Sequence, residues 1–242
     1  MKFGKYIAHR GLHSLELWAP ENSLEAFRRA VEKGFAIELD IHLTKDYQLA
    51  VFHDDNLARM TGLNKNIVEM TMKELKQLRL QGTSEKIPTL LEVLNVVDGK
   101  VPLLIEIKNT TKQIGKLEKV LARQMRYYKG FWAVQAFNPL RLNWFSKNMP
   151  KIQRGQLVSC NNEKNIIKRI FKNFISKPFV WKFISKPNFL AYDLRCISME
   201  VVMLAIQNNC ELLTWVAKSQ ELLKEAEKFS DSIIFEGFIP DI

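Results

Sequence analysis

Short apolar runs alternate along the chain with longer stretches of helical period. The runs predict strands at Tyr6–His9, Ala36–Leu43, Leu49–His53, Pro102–Lys108, Phe131–Phe137, Gln153–Val158, Phe189–Tyr192, Glu211–Val216 and Ser232–Phe235. The helical period predicts helices at Ser23–Lys33, Met72–Leu80, Thr89–Val97, Thr111–Tyr128, Pro139–Asn148, Ser198–Asn208 and Ser219–Phe229. In the first of these, Leu24, Phe27, Ala30 and Val31 share a face, and Asn22 is placed to cap its start. Lys33-Gly34 and Asn208-Asn209 are natural helix stops. With Leu49–His53 set aside as an antiparallel insertion, eight strands alternate with helices over 242 residues. That is an α/β pattern, and it predicts a (β/α)8 TIM barrel as a single domain over 1–242. The runner-up is an open doubly wound sheet, but no G-x-G-x-x-G or P-loop supports it.

Two segments interrupt the alternation. Asp54–Lys86 is long and polar, and is expected to be a small insertion after the second strand region. The stretch 161–188 is expected to be a basic amphipathic insertion. It carries Lys164, Lys168, Arg169, Lys172, Lys177, Lys182 and Lys186 among Ile and aromatic residues, with no acid from Lys164 to Lys186. Pro178 and Pro187 limit it to one helix of about three to four turns followed by an irregular piece. Three readings fit: an interfacial segment on anionic lipid, a nucleic-acid surface, or an extra helix packed on the barrel with solvated lysines. Peripheral contact with anionic membrane through 164–186 stands beside ordinary packing, and nucleic acid is disfavoured.

Composition narrows the class. A hydrophobic content of 47% with 26% charged residues fits a globular core and excludes disorder, collagen-like chains and coiled-coil fibres. The net charge of +10 favours anionic partners without choosing among phosphate esters, nucleic acid and lipid. The N-terminal stretch shows no apolar leader, and no run of 18 or more apolar residues predicts a membrane span. Cys160, Cys196 and Cys210 are too few and too scattered for a disulfide framework. These features together predict a cytoplasmic protein, membrane-associated if 164–186 meets lipid.

Candidate chemistry is densest in the second strand, Glu38-Leu39-Asp40-Ile41-His42, where alternation puts Glu38, Asp40 and His42 on one face. Unpaired carboxylates are costly in a packed barrel interior, and a bound cation removes that cost. Glu106 and Lys108 repeat the period at the end of another apolar strand. Three carboxylates from neighbouring strands form an oxygen site suited to Mg²⁺ or Ca²⁺. The competing readings are a strand edge with solvated charges and a buried Glu106–Lys108 ion pair. His9-Arg10-Gly11 closes the first strand and offers a guanidinium fork for phosphate. His53-Asp54 closes Leu49–His53, and Asp54 is placed to orient the imidazole. Two histidines beside a phosphate can serve as general acid and base, whereas His13 lies in a loop and is incidental.

Ala8-His9-Arg10-Gly11, Pro20-Glu21-Asn22-Ser23, Ala26-Phe27 and Glu38-Leu39-Asp40 resemble the opening of the glycerophosphodiester phosphodiesterase family. The resemblance continues through Leu43-Thr44-Lys45-Asp46, Val51-Phe52-His53-Asp54 and Leu57-Ala58-Arg59-Met60-Thr61-Gly62. It then takes in Ile87-Pro88-Thr89-Leu90 and Ile105-Glu106-Ile107-Lys108, and thins to Trp215 and Pro240. What it implies is a (β/α)8 barrel that uses a divalent cation to hydrolyse glycerophosphodiesters to an alcohol and glycerol 3-phosphate. By that resemblance Glu38, Asp40 and Glu106 are metal ligands and His9 and His53 the catalytic pair. Arg10, Lys108, Glu21 and Trp215 fall on substrate- or phosphate-binding positions. The chain departs from the family at Trp215-Val216-Ala217-Lys218, where Trp-Thr-Val-Asn is common, and at its last strand, which lacks Thr-Asp-x-Pro. Both departures bear on the alcohol side of the substrate. The alternatives are a lysophospholipase D-like activity on membrane lysolipids and a non-enzymatic anionic-lipid-binding module on a barrel.

Overall fold

The computed structural model describes residues 3–110, 113–159 and 181–241. They form two compact units, Lys2–Trp132 and Ala133–Ile242. In the first unit the strands are β1 (Tyr6–Ala8), β2 (Ala36–Leu43), β3 (Leu49–Val51) and β4 (Leu103–Ile107). Its helices are α1 (Leu24–Glu32), α2 (Ala58–Thr61), α3 (Met72–Leu75), α4 (Leu90–Val97) and α5 (Lys116–Gln124). β2 pairs in parallel with β1 and β4, and antiparallel with the short β3. All eight residues of β2 are buried, so its polar side chains point into protein rather than solvent.

The second unit holds β5 (Trp132–Ala136, beginning at the boundary), α6 (Pro139–Asn148), β6 (Gln153–Val158), β7 (Phe189–Asp193), α7 (Met199–Gln207), β8 (Glu211–Ala217), α8 (Gln220–Ala226) and β9 (Ser232–Phe235). Its strands pair in parallel in the order β5-β6-β7-β8-β9. Gly155 on β6 is required by packing, because a Cβ there would lie 1.9 Å from the Phe189 ring. Among the described residues β3 is the one antiparallel strand, and the chain has the expected (β/α)8 barrel class.

Local chemistry explains the element ends. Ser23 Oγ accepts from the Ala26 amide and caps α1, while Ala26, Phe27 and Ala30 bury its inner face. Asn22 is therefore not the cap, because its amide is engaged elsewhere. Thr89 and Glu92 form a reciprocal capping box on α4. α3 and α5 are shorter than the apolar period predicts. α3 stops at Leu75, and α5 begins only after Gly115, whose φ of 97° suits glycine.

The insertion after β3 carries its own hydrophobic cluster, built on Leu57, Met60, Ile67, Met70, Met72, Leu75 and Leu80 together with Ala50 and Phe52. The basic stretch lies outside the described residues from 160 to 180, so its expected helix does too. No helix among the described residues is long and apolar enough to cross a membrane. Among the described residues Cys210 is free and Cys196 is disulfide-bonded.

Candidate active site

Parallel register across β2 and β4 sets Asp40 beside Glu106, and alternation along β2 puts Glu38 on the same face. Carboxylate oxygens of Glu38, Asp40 and Glu106 lie within 4.8 Å of one another, and all three residues are buried. Lys108 reaches back from the end of β4, its Nζ donating to Glu106 at 2.8 Å and to Asp40 at 3.2 Å. The buried ion pair weighed from sequence is therefore present, and it coexists with the carboxylate cluster. Arg10 adds a second positive charge. Its backbone N–H donates to Glu38 Oε2 at 3.2 Å, and its Nε lies 3.5 Å from Asp40 Oδ2. Arg10 takes a φ of 55°, and Gly11 follows at 81° against the backbone of Ala26.

The environment drives the three carboxyls apart. Burial pushes Glu38 well above the usual carboxylate range, and the charges of Asp40 and Glu106 add to it. Glu106 is raised by burial and by Asp40, with Lys108 opposing. Burial works on Asp40 too, yet Lys108, His53, Arg10 and a hydrogen bond from Asn22 hold it far below the usual range. That bond runs from Asn22 Nδ2 to Asp40 Oδ2 at 2.9 Å. Lys108 and Arg10 supply the positive charge that faces the three carboxyls. The donor set is all oxygen, and metal–oxygen bonds of about 2.0–2.6 Å put ligand oxygens of one ion within about 5 Å. The residues present therefore fit a hard divalent cation.

β3 delivers the second half of the site. The Phe52 amide donates to Asp40 O at 3.0 Å, which brings the next residue, His53, alongside the cluster. His53 Nδ1 donates to Asp54 Oδ1 at 2.5 Å, which fixes the orientation of the ring. His42 secures the backbone of the same residue. Burial lowers its pKa to about 4, so it is neutral. Its Nε2–H donates to His53 O at 3.2 Å, and its Nδ1 accepts from Thr110 Oγ1 at 3.0 Å. His9 follows β1 directly and is partly buried. Glu21 accepts from Arg10 at 2.8 Å and from Arg59 at 2.6 and 3.0 Å.

The structure thus brings Arg10, Glu21, Glu38, Asp40, His53, Glu106 and Lys108 into one hydrogen-bonded and charge-coupled group. Trp215 lies on β8 in the other unit, where its Nε1–H donates to Ala191 O and its ring packs edge-on to Phe137. Asn22, His42 and Arg59 are the polar residues that reading the sequence left without a chemical role. Each sits inside or beside a motif already singled out, but which partner it takes depends on contacts distant in sequence.

Residues 9–241 match the model of the glycerophosphoryl diester phosphodiesterase family. The chain belongs to that family. Among its relatives it is 34% identical over 164 residues to the glycerophosphodiester phosphodiesterase of Caldanaerobacter subterraneus subsp. tengcongensis, covering 64% of this chain and 66% of that one. It is 35% identical over 142 residues to human lysophospholipase D GDPD1, covering 53% and 44%. The chain therefore spans about two thirds of the bacterial relative and under half of the human one. A solved Oleispira antarctica phosphodiesterase, in complex with the product sn-glycerol-3-phosphate, shares the fold at a TM-score of 0.80 and 23% identity. That match covers 96% of this chain and 93% of the other.

Proposed function

We propose that this member of the glycerophosphoryl diester phosphodiesterase family hydrolyses glycerophosphodiesters to an alcohol and glycerol 3-phosphate. The observation that carries the reading is the buried Glu38–Asp40–Glu106 cluster with Lys108 across it and the His53–Asp54 pair beside it. Glu38, Asp40 and Glu106 hold a divalent cation, Mg²⁺ or Ca²⁺. When bound, it supplies Lewis-acid polarisation of the phosphoryl oxygens. Arg10 and Lys108 offset negative charge that builds on the phosphoryl group. Glu21 keeps the Arg10 guanidinium aimed. His9 and His53 divide proton transfer between the attacking hydroxyl and the leaving alcohol, with Asp54 fixing the His53 tautomer.

The test is release of glycerol 3-phosphate from glycerophosphocholine and glycerophosphoethanolamine with Mg²⁺, with Ca²⁺ and with chelator. Release abolished by chelator and restored by one of the cations is expected. No release under any cation would overturn the reading.

A second reading, lysophospholipase D-like action on lysolipids, is supported by the similarity to the human relative of that name. The basic stretch 164–186 would then bring the protein to anionic membrane. Hydrolysis of lysolipid in anionic vesicles, with co-sedimentation of the protein, is the outcome that favours it. Equal recovery in the supernatant with anionic and zwitterionic vesicles removes the membrane element.

A further inference from the structure

Arg59 belongs to none of the groups assigned above to metal, phosphate or proton transfer. It lies on α2 beside Leu57 and Met60, both buried in the insertion's own cluster. Its guanidinium faces two carboxylates at once. Toward Asp54, Nε donates to Oδ2 at 2.6 Å and Nη2 to Oδ1 at 3.1 Å. Toward Glu21, Nη2 donates to Oε1 at 2.6 Å and Nη1 to Oε2 at 3.0 Å. Beyond these, Asp54 accepts from His53 Nδ1 and Glu21 accepts from Arg10 Nη1.

We infer that Arg59 is a positioning residue that ties the His53–Asp54 pair to the Glu21–Arg10 pair, so that the insertion holds the proton-transferring and phosphate-facing groups as one unit. This rests on the phosphodiesterase reading.

The geometry argues for more than a surface ion pair. Isolated exposed pairs contribute little to stability, with bidentate networks the exception. Here one planar group makes a two-point contact with each of two carboxylates, which fixes their relative orientation. Without it, Asp54 and Glu21 would face each other as like charges. Asp54 would then be free to turn from His53 Nδ1 and release the ring into both neutral tautomers. The placement also gives the insertion a task. Burying Leu57 and Met60 is what presents Arg59 at the site.

The experiment uses the full chain with Arg59→Gln and Arg59→Lys, each checked for unchanged circular dichroism and cooperative melting. Arg59→Gln is expected to lower kcat on glycerophosphocholine by about 10–100-fold, the scale of a displaced catalytic group. Lys presents a point charge rather than a fork, so Arg59→Lys is expected to stay within about threefold of Arg59→Gln. In a Glu21→Gln/Asp54→Asn background, the further change Arg59→Gln should cost less than about twofold, because its partners are already gone. A full multiplicative loss in that background, or full rescue by lysine, would overturn the inference. Independently of activity, nitrogen NMR of His53 should show the Nδ1–H tautomer in the unsubstituted protein and a mixture in Arg59→Gln. An unchanged His53 spectrum also overturns it. If the unsubstituted protein cleaves no diester, the phosphodiesterase reading falls, while the tautomer measurement still decides whether Arg59 positions His53.

Discussion

Asn22 Nδ2 donates to Asp40 Oδ2 at 2.9 Å, so the residue just before the cap of α1 steadies a carboxylate on β2. Asn22 has a φ of 56°, a left-handed conformation that asparagine tolerates better than most residues. Its amide is also among the causes that hold Asp40 ionised. Asn22→Ala is therefore expected to weaken divalent-cation binding by about 10–100-fold, the usual cost of losing a group that orients a ligand. Calorimetric titration with Mg²⁺ and Ca²⁺ checks this, and unchanged affinity would count against the ligand role of Asp40.

Without a cation, the buried carboxyl cluster is expected to cost stability. Glu38→Gln removes a buried like charge while keeping volume and hydrogen-bonding capacity. The melting temperature without cation should rise. Added cation should stabilise the unsubstituted protein by mass action and stabilise Glu38→Gln much less. Melting curves with cation and with chelator report both effects. A cation response as large in the variant would remove Glu38 from the ligand set.

His9→Ala and His53→Ala are each expected to lower turnover by about 10²–10⁴-fold with the fold intact. Both side chains are only partly buried, so circular dichroism should be unchanged. Near-normal turnover in either variant would take that residue out of the mechanism.

Burial opposes ionisation of Asp54 and Glu21, but Arg59 overcomes it, and both carboxyls sit below their ordinary range. The unfolded chain then binds more protons than the folded one as pH falls into the carboxylate range. The network's stabilisation is full above the unfolded carboxylate pKa values, about 3.9 and 4.3, and is lost as pH drops through the folded ones. The stability gap between the unsubstituted protein and Arg59→Gln should shrink steadily below about pH 5. Urea unfolding at a series of pH values measures it, and a gap that widens toward acid would contradict the assignment.

Gly11→Ala should be strongly destabilising. The φ of 81° disfavours a side chain, and a Cβ would lie 2.9 Å from the carbonyl carbon of Ala26. A loss above about 1 kcal/mol is expected in denaturant unfolding, with cation affinity falling as Arg10 moves off Glu38.

Strand periodicity made the metal-type cluster legible, because alternation on β2 and β4 fixes which side chains share a face before any contact is known. β2, β6 and β9 match their predicted limits for the same reason. The partners of Asn22, His42 and Arg59 were not legible. Their hydrogen bonds to Asp40, Thr110 and Glu21 span 18, 68 and 38 residues, and no local period reports such a pairing. Asn22 also reads as a cap by residue preference, and only the competing bond to Asp40 shows why Ser23 takes that place. Helix α5 fell short of its apolar period because a glycine with positive φ resets the backbone at its start.

The excursion after β3 leaves and re-enters at neighbouring points: the Val51 amide donates to Pro88 O at 2.8 Å, and Ala50 pairs with Thr89. Everything between is a closed detour, and lengthening such a detour costs little chain entropy, about 0.6 kcal/mol per doubling. The carboxylates belong to the frame on either side of it, whereas His53, Asp54 and Arg59 travel on the detour itself. The carboxylate cluster and the His53–Asp54–Arg59 group therefore sit on different pieces of chain. Insertions beyond Arg59 can reshape what approaches the site while the register of β2 with β4, and with it the cluster, stays as it is.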